Sequence, residues 1–132
     1  MKQYKSKTGD LLHVYFRFDE ENQSRVNISP PEEFLQVSLI PLSKTGTDAH
    51  KHVDNKREIS ITQESWVVVK GKIEVCYYDM DGSLLGIEQL GVGDCSVTFG
   101  GGHSCRGLEE DTLIYEFKNG PYLREKKDKE SL

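Results

Sequence analysis

The sequence predicts an all-β sandwich or barrel. Three observations carry that expectation. Seven to nine short runs cluster or alternate apolar residues at strand length, turn signals recur every eight to twelve residues, and no stretch from 34 to 118 keeps a helical period. A chain of 132 residues sustains one hydrophobic core. A single domain over 1–132 is therefore expected, with the barrel core over about 34–122 and a charged tail over 123–132.

The elements follow in order. Residues 11–18, LLHVYFRF, place Leu12, Val14, Phe16 and Phe18 on one side of a strand and His13, Tyr15 and Arg17 on the other. Pro30 and Pro31 break the pattern, because proline has no amide hydrogen to give to a ladder. FLQVSLIPL then puts Leu35, Val37 and Leu39 on one side and Gln36 and Ser38 on the other, stopping at Pro41. Beyond a hydrophilic stretch, ESWVVVKG ends at Gly71. KIEVCYYD leads to Asp81-Gly82, a hairpin signal, because glycine accepts the left-handed backbone that tight turns need. SLLGIEQL closes at GVGD, and CSVTF, three glycines and TLIYEFKNGPY complete the pattern.

Composition narrows the function. A formal charge of -5 opposes a nucleic-acid binder, which shows a basic face, and the one dense charge run, REKKDKES, mixes both signs. The first ten residues hold no apolar h-region and no run approaches eighteen apolar residues, so neither a signal peptide nor a membrane span is expected. Cys76, Cys95 and Cys105 are odd in number and match no zinc-ribbon or redox spacing; they fit a reducing compartment, and the cytoplasm is the expected location.

The chemistry gathers around four residues. In DAHKHVDNKREISITQE, His50 and His52 project to one face if the chain is extended. Eleven residues then pass before Glu64, which opens an apolar strand. They read as an inserted turn and strand that return the chain to the same pocket. His103 follows FGGG, where glycines permit a tight turn and leave room beside the ring. Three imidazoles and a carboxylate converging in a barrel would hold a divalent transition metal and leave positions open to water or substrate.

On these residues the chain resembles the cupins. His50-x-His52, with six residues between Glu64 and Gly71, is similar to the first cupin motif. Gly93-Asp94 through CSVTFGGGH to His103 is similar to the second, and the 21 residues between Gly71 and Gly93 suit a hairpin. The blocks TQESWVVVKGKIEVCYYDMDG and YEFKNGPYLREKKDK resemble the small WbuC-type cupins found with polysaccharide biosynthesis genes. The resemblance implies a double-stranded β-helix (jelly-roll) barrel holding one divalent ion (Mn, Fe, Ni, Zn or Cu) on His50, His52, Glu64 and His103. It also implies a homodimer, in which the strand over 11–18 extends a partner's sheet. It names no substrate.

Other residues carry lesser expectations. Glu58 is the substitute carboxylate if a strand runs unbroken from 58 to 64. Glu58 and Glu116 are the candidate acid/base groups, while Arg57, Lys70, Glu116 and Lys118 are candidates to position an anionic substrate. Trp66 walls the pocket or fills core, Tyr122 caps the mouth or packs, and Cys105 shares the face of His103. Cys76 and Cys95 read as plain small core residues, and His13 as structural or exposed. His52-Val53-Asp54 with His103 is a rival facial triad, but Arg106 comes too early for the co-substrate arginine of such oxygenases.

The expected function is a small metal-dependent enzyme acting on a small polar molecule such as a sugar or sugar nucleotide. The alternatives are a non-catalytic metal- or sugar-binding module, and a metal-free enzyme resembling the sugar-nucleotide ketoisomerases.

Overall fold

A computed structural model describes residues 1–121, among which ten β-strands and no helix form. The strands are β1 (Lys2–Lys5), β2 (Leu11–Phe16), β3 (Val26–Asn27), β4 (Ser38–Leu39), β5 (Glu64–Lys70), β6 (Ile73–Tyr78), β7 (Leu84–Leu90), β8 (Cys95–Thr98), β9 (Gly102–Gly107) and β10 (Leu113–Lys118). Every pairing is antiparallel. One sheet runs β1-β2-β8-β5-β10, a second runs β7-β6-β9, and β3 and β4 form a two-stranded ribbon.

The all-β expectation holds, and the apolar pattern explains how the layers meet. Tyr4, Tyr15, Trp66 and Val68 of the five-stranded sheet pack with Ile73, Val75, Tyr77 and Leu90 of the three-stranded sheet in one buried cluster. The opposite face of the five-stranded sheet is also covered. Val14, Phe16, Cys95 and Val97 pack there with Ile28 and Phe99, and Leu35, Val37 and Leu39 close over them. The apolar side read in FLQVSLIPL thus faces the core, although only Ser38–Leu39 of it is a strand.

Two layers of cover explain β8, whose four residues are all buried. A strand buried on both faces normally reads as a continuous apolar run. Here Ser96 and Thr98 are tolerated because each hydroxyl is paired, Ser96 with the Tyr77 hydroxyl at 2.8 Å and Thr98 with His13 Nδ1 at 3.0 Å. The hairpin at Asp81-Gly82 forms as expected. Gly82 has φ 80°, and the Asp79 amide donates to the Ser83 carbonyl at 2.8 Å.

Three expectations need correction. No strand forms between Leu39 and Glu64, so neither the inserted strand after His52 nor an unbroken strand from 58 to 64 exists. The reason lies in composition: residues 43–58 are almost wholly polar and offer no apolar face to bury. Secondly, β2 has β1 on one side and β8 on the other, so both its edges are taken and it cannot extend a partner's sheet. Thirdly, the core takes in more than residues 34–122, because the His13, Tyr15 side of β2 lies against the second sheet, with His13 completely buried. Residues 2–16 therefore join the core expected from residue 34 onward. No described helix is long and apolar enough to cross a membrane.

Candidate functional site

Register assembles the site. Across the inner face of the five-stranded sheet, Tyr4, His13, Thr98, Glu64 and Lys118 lie directly opposite one another, strand after strand. The next row is Lys2, Tyr15, Ser96, Trp66 and Glu116. Further along β5 and β10 the paired residues become Val68 and Ile114, which belong to the apolar cluster or pack on it. The space between the sheets is thus apolar in depth and polar toward one end. On the second sheet, β9 brings His103 and Cys105 to that end, opposite Tyr77 and Val75 of β6.

The centre of the polar end is a direct contact. His103 Nε2 lies 3.3 Å from Glu64 Oε1. Glu64 is only 6% exposed, so its carboxylate has little water to replace that partner. The other ring nitrogen, His103 Nδ1, is buried with no hydrogen-bond partner. Trp66 stands edge-on to His103, with ring centroids 4.7 Å apart. Its indole Nε1–H donates to Glu116 Oε2 at 3.4 Å, and Glu116 Oε1 pairs with Lys118 Nζ at 3.1 Å. Trp66 is both core and wall, since it belongs to the buried cluster and touches the site.

Glycines set the approach of β9. Gly101 has φ 74°, and a Cβ there would collide with the Tyr78 carbonyl oxygen, so only glycine lets the chain turn into β9 and present His103. On the far side, Asp94 of GVGD accepts hydrogen bonds from the Gly91 and Phe18 amides, each at 2.8 Å, which fixes the turn into β8.

Cys105 is exposed on β9, two residues beyond His103 and on the same face. Burial of the thiol, then the carboxylates of Glu64 and Glu116, push its pKa above the usual thiol range. It is therefore an accessible but poorly ionised thiol, unlike a cysteine nucleophile. Cys95 is buried beside Ser65, and Cys76 is half-buried.

Of the two readings offered for His13, structural and exposed, the structural one holds. Its Nε2–H donates to the Tyr78 carbonyl at 2.9 Å, which leaves Nδ1 to accept from the Thr98 hydroxyl at 3.0 Å. Both nitrogens are satisfied in the neutral ring. Burial first, offset by the Tyr78 bond, and then the nearby His103 hold its pKa down at about 4. The available signal was the polar spacing of His13 and Tyr15 against a strand flanked by apolar residues.

The two remaining predicted ligands lie elsewhere. His50 and His52 are exposed on the segment between Leu39 and Glu64, their rings edge to face at 5.4 Å, with His50 Nδ1 donating to the Asp48 carbonyl at 2.9 Å. Glu58 is exposed and paired with Lys56 at 2.9 Å, and Asp54 is exposed. Arg57 and Glu58 line a shallow hollow with Pro31, Glu32, Glu33, Phe34 and Gln36. Lys70 pairs with Asp111 at 3.7 Å on the surface, and Tyr122 lies outside the described residues. Among the described residues, no group of three or more His, Cys, Asp or Glu side chains converges to hold a metal ion.

Glu64 and His103 nonetheless have the separation of two ligands on one ion. With bonds of about 2.1 Å and ligand angles of about 90–109°, neighbouring donors stand about 3.0–3.4 Å apart. The observed 3.3 Å falls in that range. Two donors of the chemistry a first-row ion takes are in place, and two are not.

Comparison of the chain with known protein families, with characterised proteins and with solved structures finds no significant match.

Proposed function

We propose that this chain is a metal-binding protein of the cupin type that acts as a small metal-dependent enzyme on a small polar molecule such as a sugar or sugar nucleotide. The observation that carries the reading is the Glu64–His103 contact of 3.3 Å at the polar end of the space between the sheets, beside the buried apolar cluster. In this reading Glu64 and His103 are the fixed half of the site. His50 and His52, on the polar segment, are the half that closes. β9 is an edge of its sheet. Residues 48–54 laid extended along that edge would turn His50 and His52 to the face that carries His103.

A divalent ion bound there supplies Lewis acidity, or a water more acidic than bulk water. The chain's own residues do the rest. Trp66 screens His103 from water on one side. Glu116, 42% exposed and held by Trp66 and Lys118, is the carboxylate placed to move a proton at the rim. Glu58 is too far into solvent to share that role as the chain stands. The same reading carries a homodimer, for which the exposed Leu113, Tyr115 and Phe117 on the edge strand β10 offer an apolar face.

A second reading draws on the same contact. A histidine bonded to a buried glutamate, with its other nitrogen unpaired, is an acid–base pair that needs no metal. That is the metal-free, ketoisomerase-like alternative.

Amide hydrogen exchange separates the two. On addition of Mn²⁺, Ni²⁺ or Zn²⁺, the metal reading expects slower exchange over residues 48–54 and along β9. Unchanged exchange, together with turnover of a nucleotide-sugar panel in the presence of a chelator, would favour the metal-free pair. Bound metal without turnover on that panel would identify a binding module.

A further inference from the structure

The inner row of β10 changes character along the strand. Ile114 packs on the core cluster, while Glu116 and Lys118, each two residues further on, face the same side at the polar end. Lys118 lies directly across from Glu64, and its side chain is only 22% exposed although lysines usually reach for solvent. Its ammonium is held back over the cleft by Glu116 Oε1 at 3.1 Å, and Glu116 is anchored in turn by the Trp66 indole. Trp66 touches His103, and His103 touches Glu64. Five side chains from three strands therefore line the rim, linked by contact from Lys118 through Glu116, Trp66 and His103 to Glu64, with Lys118 and Glu64 neighbours in register. They are one aromatic wall, two carboxylates, an imidazole and a cation.

We propose that Lys118 is the positioning residue for an oxyanion on the ligand, a phosphate or a carboxylate, and that Glu116 both aims Lys118 and accepts a ligand hydroxyl. The assignment rests on the proposed function in placing a small polar ligand in this cleft, and it names that ligand's class as an anionic sugar or polyol. The chemistry follows from these groups. Glu64 and Glu116 alone would repel an anion. A lysine drawn inward beside them offsets one of the two charges, and its three donors suit tetrahedral phosphate or planar carboxylate oxygens without fixed geometry. Trp66 is buried, so its part is to anchor Glu116 through its N–H rather than to contact the ligand.

The chain has one tryptophan beside six tyrosines, so emission excited selectively at the indole reports Trp66. Full-length protein is titrated with glucose 1-phosphate, glucuronate, glucose and inorganic phosphate while Trp66 emission is followed. Both anionic sugars are expected to bind at least about tenfold more tightly than glucose, the weight of one charge-assisted hydrogen bond. The two anions differ in whether phosphate or carboxylate is preferred. Lys118→Met is expected to abolish the preference and Lys118→Arg to retain it. Glu116→Gln removes the carboxylate that aims Lys118 and tests the same point in a second protein; it is expected to weaken both glucose and the anionic sugars and to narrow the preference between them. Equal affinity for glucose and the anionic sugars, no binding of any of them, or a preference that survives Lys118→Met would overturn the proposal. Metal content is measured on each variant. Anion preference lost in Lys118→Met with metal content unchanged supports Lys118 irrespective of the metal. Metal absent from every protein while the anion preference persists sinks the metal reading and leaves this one standing.

Discussion

Lowering the pH should destabilise this fold through His13 in a predictable window. The ring is completely buried between the sheets, its Nε2–H is given to the Tyr78 carbonyl, and its Nδ1 accepts from Thr98. A second proton on Nδ1 has to force the Thr98 hydroxyl to turn from donor to acceptor, and it places a charge beside Tyr77 and close to His103 in a dry interior. Asp79 is near enough to offset only part of that cost. The folded pKa is therefore depressed to about 4 from an ordinary 6.5. Between those values the unfolded chain binds the extra proton and the folded chain does not. The stabilisation is complete above about pH 6.5, falls as the pH drops toward 4, and does not fall further below it. Two and a half pH units at about 1.4 kcal/mol each give about 3 kcal/mol, a large share of the stability of a small domain. Urea denaturation followed by Trp66 fluorescence, for wild type and His13→Gln at several pH values from 4 to 7.5, isolates the contribution. Carboxylate titrations are shared by both proteins and cancel. The variant is less stable at pH 7, and the gap should narrow by about 3 kcal/mol on going to pH 4. A gap constant to within about 0.5 kcal/mol across that range would refute the assignment of a buried, neutral His13.

The other predictions concern single contacts. Tyr77→Phe removes the partner of the buried Ser96 hydroxyl and should cost about 1–3 kcal/mol by urea denaturation, whereas Tyr115→Phe on the exposed face should cost under about 0.5. Gly101→Ala meets both a positive φ and the Tyr78 carbonyl, so it should cost at least about 2 kcal/mol and lower metal content by displacing β9. A cost below about 0.5 kcal/mol would show the turn to be relaxed. Of the three thiols, Cys105 should react first with a thiol reagent in the native protein and Cys95 last; bound metal should slow Cys105, which shares its face with His103. Labelling of Cys95 as fast as Cys105 would contradict the burial of β8.

The all-β class and the successive strand runs from Glu64 to Lys118 were legible because apolar residues cluster or alternate at strand length there and turn signals separate the runs. The sides of FLQVSLIPL were legible for the same reason. What escaped was the depth of burial. His13 and Tyr15 look polar beside Leu12 and Val14, but β2 is covered on both faces, so period two separates two cores rather than core from water. The site was half legible. Glu64 opens an apolar strand and His103 follows a glycine turn, so strand geometry alone brings them to one cleft. His50 and His52 share a face only if their segment is extended, and a polar run without an apolar face has no packing to make it so. The Glu116–Lys118 spacing reads equally as a surface pair until the register sets it opposite Trp66 and Glu64.

The metal-to-chain ratio of protein purified without chelator or metal-binding tag, determined by elemental analysis for Mn, Fe, Ni, Cu and Zn, tests the central claim most directly. The account predicts a ratio near one in wild type, with loss of at least about tenfold in His103→Ala and in His50→Ala/His52→Ala. A wild-type ratio below about 0.1 that the histidine variants leave unchanged would contradict it.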